Sequence, residues 1–176
     1  DALRDEHPHL DFSAPRVGRR GFALDVALLA VVADQLGGTQ ACFDMTLDYV
    51  KVRRQFNREI GSFQAIKHRC ADMMLQVECA RSAAYYAACV AQERLDPQGD
   101  AAVISELELA AATAKIHASE GFFHCASESI QLHGGVGFTW EYDPQLHFKR
   151  AQWASQWFGP TRDWREALAA HLLDAA

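Results

Sequence analysis

The sequence predicts an all-α protein: an antiparallel up-and-down bundle of three long helices plus two shorter C-terminal helices. Three observations predict it. Apolar residues recur at helical spacing over three long stretches, no segment alternates with the period of two that a half-buried strand requires, and the strongest Gly and Pro punctuation falls between those stretches. The 176 residues, 49% of them hydrophobic, suffice for a single domain with a sizeable core.

The first helix starts at Phe22, after Gly21, and carries Leu24, Leu28, Val31, Val32, Leu36, Phe43, Leu47 and Val50, interrupted only by Gly37 and Gly38. The segment RRQFNREIGSF, residues 53–63, reads as a loop. A second helix follows with Ser62 as its N-cap and Ile66, Met73, Val77, Ala80, Ala84 and Ala88 as its apolar set. It ends before Leu95-Asp96-Pro97-Gln98-Gly99. The third runs from about Asp100 to Leu132 and buries Val103, Leu107, Ala110, Ala114, Ala118, Phe122, Cys125 and Ile130. Two shorter helices close the chain, at about 143–157 and 161–173, with Pro160 marking the break between them. The many alanines of the second and third helices imply close helix approach. Residues 1–20, polar and bearing Pro8 and Pro15, read as a linker or the end of a missing preceding domain, leaving 21–176 as the helical domain.

Charge and cysteine usage narrow the function. A net charge of −6 argues against a nucleic-acid partner, because phosphate backbones require a basic face. The five cysteines form no CxxC pair and read as small apolar residues of a reducing compartment. No uninterrupted apolar run is long enough to span a bilayer, and the first residues lack the pattern of a signal peptide, so the expectation is a cytoplasmic protein without a membrane partner. His117, Glu120 and His124 share one helical face, but the paired ExxH of bundle metal sites is missing: the only ExxH is Glu6 to His9, in the irregular start. No metal is expected. Nor is a serine hydrolase, since no GxSxG occurs and Ser127 and Ser129 lie inside a helix.

Two clusters point to a ligand. In Gln131 to Tyr142, QLHGGVGFTWEY, the glycines Gly134, Gly135 and Gly137 follow a helix rather than a strand, which excludes a Rossmann turn. They permit either a tight helix cap or close approach of a ligand, with Gln131 and His133 at the edge to supply hydrogen bonds. In Arg53, Arg54, Gln55, Phe56 and Asn57, the cations suit a helix C-terminus, while the guanidinium, ring and amide together suit a nucleotide diphosphate.

In this order, RRQFNREIGSFQAIKHRCADM at 53–73, Ala114-Lys115, and SIQLHGGVGFTWEY at 129–142, the motifs resemble the C-terminal helical domain of the acyl-CoA dehydrogenases, over about residues 21–174. The resemblance implies a FAD enzyme of the family that oxidises the α,β bond of acyl-CoA thioesters, with a carboxylate removing the α proton. It implies that Arg53 meets the FAD pyrophosphate and Phe56 the adenosine. Gln131 and Gly135, with Gly134, belong to the turn that receives the same pyrophosphate from a neighbouring subunit, so a homo- or hetero-oligomer with similar subunits is implied. Gln55 and Gln64 hold motif positions with weaker claims. Asn57 stands where the family has glycine, which an asparagine can replace in a left-handed turn.

The base is missing. Counting without gaps from Gly134 places the family glutamate at Phe158, between Trp157 and Gly159; the minority position on the first helix comes to about Leu28. Neither side chain takes a proton. Asp25 and Asp34 are the nearest acids on that helix. Lys149-Arg150 replaces the family's Arg-Asp and implies a positive edge from Gln145 to Arg150. The family's members are about twice this length and include two further domains that build the acyl and flavin-ring pockets. Three functions follow as expectations: a base-less subunit or fragment supplying part of a FAD site, a dehydrogenase with a relocated base, or a structural bundle that has lost flavin.

Overall fold

The computed structural model describes residues 21–174; the expected linker, 1–20, and Glu6 and His9 lie outside them. Six helices account for most of the described residues: α1 (Phe22–Val52), α2 (Gln64–Glu93), α3 (Ala101–Ser105), α4 (Leu107–His133), α5 (Pro144–Gln156) and α6 (Thr161–Asp174). A two-stranded antiparallel ribbon, β1 (Arg54–Gln55) and β2 (Arg58–Glu59), follows α1, and single 3-10 turns precede α2 (Ile60–Ser62) and follow α4 (Gly134–Phe138).

The up-and-down order follows from the cross-helix bonds. Gln35 on α1 bonds Ser119 on α4 at 3.0 Å, and Tyr49 bonds the His133 carbonyl at 3.2 Å, both 84 residues apart, so α1 and α4 run parallel and in constant register. Between them in sequence, α2 runs the opposite way: Arg69 meets Glu128 while Tyr86, farther along, meets Glu106. Relative to α4, α5 is also reversed, with His147 beside Phe122 and Ala154 beside Lys115.

α4 is the central helix. Its buried face supplies Phe122, Cys125, Ala126 and Leu132 to one cluster with Phe43, Val50, Met73 and Val77, and Leu107, Ala110, Ala114 and Ala118 to a second with Val32, Ala87 and Val90. Fully burying a side chain such as Phe122 stabilises by about 1.5–3 kcal/mol. Gly38 does not interrupt α1 as the sequence suggested. A Cβ there would fall 2.3 Å from the Phe122 ring, so the glycine is what lets α1 and α4 close.

Other expectations need correction. α2 is not capped by Ser62, whose hydroxyl donates to the Glu59 carbonyl at 2.7 Å inside the 3-10 turn; Phe63 is the N-cap residue, without a side-chain bond. The third helix is divided. Asp100 caps α3 by accepting from the Ala102 N–H at 2.8 Å, and the Ser105 hydroxyl back-bonds to the Ala102 carbonyl, competing with helix continuation just where α3 stops. The loop at 53–63 contains the ribbon, too short for alternation to reveal. By length and composition alone α1 could cross a membrane; in the bundle its Leu28, Val32, Phe43 and Val50 are buried.

Candidate functional site

The α1 C-terminus leads directly into the ribbon. Phe56 (φ 52°) and Asn57 (φ 62°) are its two connecting residues, and left-handed backbone at both is the geometry of a type I′ hairpin turn. Asn57 thus performs the left-handed role expected of it, and Phe56, an aromatic, does so as well. Arg54 locks the ribbon, donating to Glu59 Oε1 at 2.8 Å and to the Asn57 carbonyl at 2.9 Å. Arg58 lies 3.8 Å over the Phe63 ring, whose edge Phe56 approaches.

These contacts use every arginine of the cluster except one. Arg53 is exposed, and its guanidinium has no hydrogen bond or ion pair among the described residues. Phe56 is 88% exposed, and Gln55 is exposed on β1 opposite Arg58. Gln64 is exposed and bonds His68 at 2.9 Å.

The glycine turn separates three roles. Gly134 ends α4 at φ 66°, a conformation that L side chains rarely adopt. Gly137 is required for space: a Cβ would lie 2.9 Å from the Ile130 carbonyl oxygen. Gly135 needs neither. It lacks a left-handed φ, and nothing lies within 4 Å of where its Cβ would be. The fold therefore gives no internal reason for a glycine there, whereas an incoming phosphate or backbone would.

Both clusters emerge side by side. The Tyr49 ring stacks on His133 with centroids 4.1 Å apart, fastening the last turn of α1 to the last turn of α4. Arg53 lies one turn past Tyr49, and Gly134 follows His133. This alters the expected part of His133. It is buried, and its Nδ1–H donates to the Ser129 carbonyl at 2.7 Å, so it fastens the edge rather than facing a ligand. Burial lowers its pKa, against the opposing effect of that bond. Gln131 remains exposed.

The α5–α6 turn, where the family base would sit, is built differently. Phe158 (φ 60°) and Gly159 (φ 96°) are both left-handed. The Trp164 indole N–H donates to the Phe158 carbonyl at 3.0 Å, and the Lys115 ammonium, fully buried, lies 3.0 Å from the Ala154 carbonyl and 3.4 Å from that of Ser155. Phe158 packs against a cluster of Leu28, Ala111, Ala112, Ile116 and Trp164. Phe158 and Leu28, the two positions to which the resemblance assigns a base, thus share one apolar cluster.

The nearby acids have other environments. Asp34 receives two bonds from Arg150, at 3.2 and 2.5 Å, and Lys149 bonds the Gln145 side chain at 2.8 Å. The expected positive edge is therefore half neutralised. Asp25 is buried one turn before Leu28. On α4, Glu120 pairs with Arg165 and His117 is exposed; among the described residues no group of three His, Cys, Asp or Glu could hold a metal.

A helical bundle that ends in an arginine without an ion pair among the described residues, an exposed aromatic hairpin and an open glycine turn is of a class whose edge suits an anion chemically. The sequence profile of the acyl-CoA dehydrogenase C-terminal domain matches residues 22–173, and the chain belongs to that family, whose members use FAD. It is 38% identical over 149 residues to acyl-CoA dehydrogenase IpdE2 of Mycolicibacterium smegmatis, covering 85% of this chain and 43% of the relative. Among solved structures, butyryl-CoA dehydrogenase from Megasphaera elsdenii superposes with a TM-score of 0.76 at 31% identity, covering 85% of this chain and 37% of that one. A chain of the ChsE4-ChsE5 complex from Mycobacterium tuberculosis does so with a TM-score of 0.72 at 26% identity, covering 84% and 38%. The chain spans less than half the length of these relatives.

Proposed function

We propose that this chain supplies the adenosine and pyrophosphate side of a FAD site in an acyl-CoA dehydrogenase assembly and contributes no base of its own. The carrying observation is the contrast in how the positions assigned by resemblance are filled: Arg53 and Gly135 stand open at one edge, while Phe158 and Leu28 share an apolar cluster. Arg53 would hold pyrophosphate oxygens, Phe56 would cover the adenosine, and Gln131, Gly134 and Gly135 would admit the diphosphate. Bound FAD supplies a hydride acceptor for α,β-oxidation of an acyl-CoA; the proton must then be taken by a carboxylate from elsewhere in the assembly. Similarity to a chain of the two-component ChsE4-ChsE5 complex supports a hetero-oligomer with a dehydrogenase-like subunit.

The test is absorbance. The protein should retain FAD and show a flavin spectrum, yet acyl-CoA alone should not bleach it. Colourless protein that gains no flavin signal on FAD addition would instead favour a structural bundle. A second reading, a dehydrogenase with a relocated base, is favoured by one observation, the buried carboxylate of Asp25 a turn from Leu28. Bleaching by acyl-CoA without a partner, abolished in Asp25→Asn, would establish that reading and overturn ours.

A further inference from the structure

Lys115 is the one lysine among the described residues that is fully buried, and no carboxylate forms an ion pair with it there. Both of its hydrogen bonds go to carbonyls of the last turn of α5. That turn is where a helix leaves acceptors without backbone donors. Trp157 N–H serves Ala154 and Gly159 N–H serves Gln156, at 3.3 and 3.1 Å, while the Ser155 carbonyl receives the ammonium. A buried ammonium without a counter-ion is costly, and an apolar side chain of similar length would fill the space more cheaply. What the charge adds is a fixed helix end.

A second pin lies just beyond. Trp164, itself buried, donates its indole N–H to the Phe158 carbonyl from α6. Between the two pins the chain takes two successive left-handed residues, Phe158 and Gly159, a path that a free loop would leave. The result is that half-buried Phe158 stays packed against the cluster that contains Leu28, Ile116 and Trp164.

We infer that Lys115 is a positioning residue: acting through the last carbonyls of α5, it holds the α5–α6 turn so that Phe158 closes the position over Leu28 where the family carries its catalytic carboxylate. The turn is therefore a built frame that carries an apolar side chain and no carboxylate at Phe158, and its service here is closure. This holds whether or not the chain carries flavin, so its failure is separate from failure of the proposed function.

The experiment is hydrogen exchange by NMR on the full chain. In Lys115→Met the Trp164 indole N–H and the Gly159 amide should exchange about tenfold faster or more, with α1 and α4 core amides unchanged. Unchanged exchange at Trp164, or equal loosening across the whole bundle, would overturn the inference, because the lysine would then contribute nothing local. Should the variant not fold, the unaltered protein still decides: the Lys115 ammonium protons should be slow to exchange and show through-bond coupling to the carbonyl carbons of Ala154 or Ser155. A fast-exchanging, uncoupled ammonium also overturns it.

Discussion

The edge formed by the ends of α1 and α4 and the α5–α6 turn lie along the same central helix, separated by the 18 residues from Lys115 to His133, about 27 Å. Both use left-handed backbone, and both are fastened by side chains reaching across from a neighbouring segment. At the edge, the fastenings (Tyr49 on His133, Arg54 on Glu59) leave their neighbours exposed: Arg53 has no ion pair among the described residues, Phe56 touches only the edge of Phe63 there, and Gly135 faces open space. At the turn, the fastenings (Lys115, Trp164) hold their neighbour Phe158 inward. The same kind of fastening thus leaves side chains open to solvent in one place and turns a side chain into an apolar cluster in the other.

The largest expected effect probes the closed region through pH. Burial lowers the Lys115 pKa from 10.5 to about 8. Between those values the unfolded chain binds the proton and the folded chain does not, so stability rises with pH across the window. Urea titrations should show the unaltered protein gaining up to ~3 kcal/mol over Lys115→Met between about pH 8 and 10.5. Burial pushes the thiols of Cys42 and Cys125 up to about 12, which lowers stability as pH rises above 9 in both proteins and cancels in the difference. A flat difference would mean the ammonium is not confined as the structure has it.

At the open edge, Arg53→Ala should weaken FAD retention by ~1.5–3 kcal/mol, the range for a bond to a charged group, measured as dissociation of the flavin by fluorescence. No loss would show the open edge to be idle. The two glycines of the turn divide the contrast further. Gly137→Ala drives a Cβ toward the Ile130 carbonyl and should cost about 1–3 kcal/mol of folding stability in urea. Gly135→Ala, in open space, should change stability by less than ~0.5 kcal/mol while still impairing FAD retention. Equal behaviour of the two alanine variants would erase the distinction between a packing glycine and a ligand glycine.

Much of this was legible in sequence because helical period reports burial. Leu28, Val32, Phe43, Met73, Val77 and Phe122 fall at core spacing and are buried, whereas Ala88, in the apolar set expected of α2, is exposed and Ala87 is buried in its place. The period cannot identify polar groups buried as pairs. Gln35 with Ser119, and Thr39 and Thr46 bonded back onto α1, are buried where spacing alone would have asked for apolar residues. Lys115 was visible as part of a motif but not as a buried donor, since its acceptors lie 39 and 40 residues away on another helix. At the site, glycine identity could be read but the three reasons for glycine could not; they depend on Ile130 and on φ. The buried setting of His133 is hidden from the sequence for a related reason, because its stacking partner, Tyr49, is distant along the chain.

The constant offset between α1 and α4 has a consequence for how this family can vary in length. From Gln35 to Tyr49 and from Ser119 to His133 the two helices run the same fourteen residues between shared contacts, about 21 Å each. A single residue inserted into one of these spans would turn everything beyond it by roughly 100° and carry Tyr49 away from His133, unless the other span gained one too. The connection at Leu95 to Gly99 is under no such tie, and each doubling of its length would cost only about 0.6 kcal/mol. Insertions are therefore expected to accumulate at that connection in related chains, while the paired spans keep a common length.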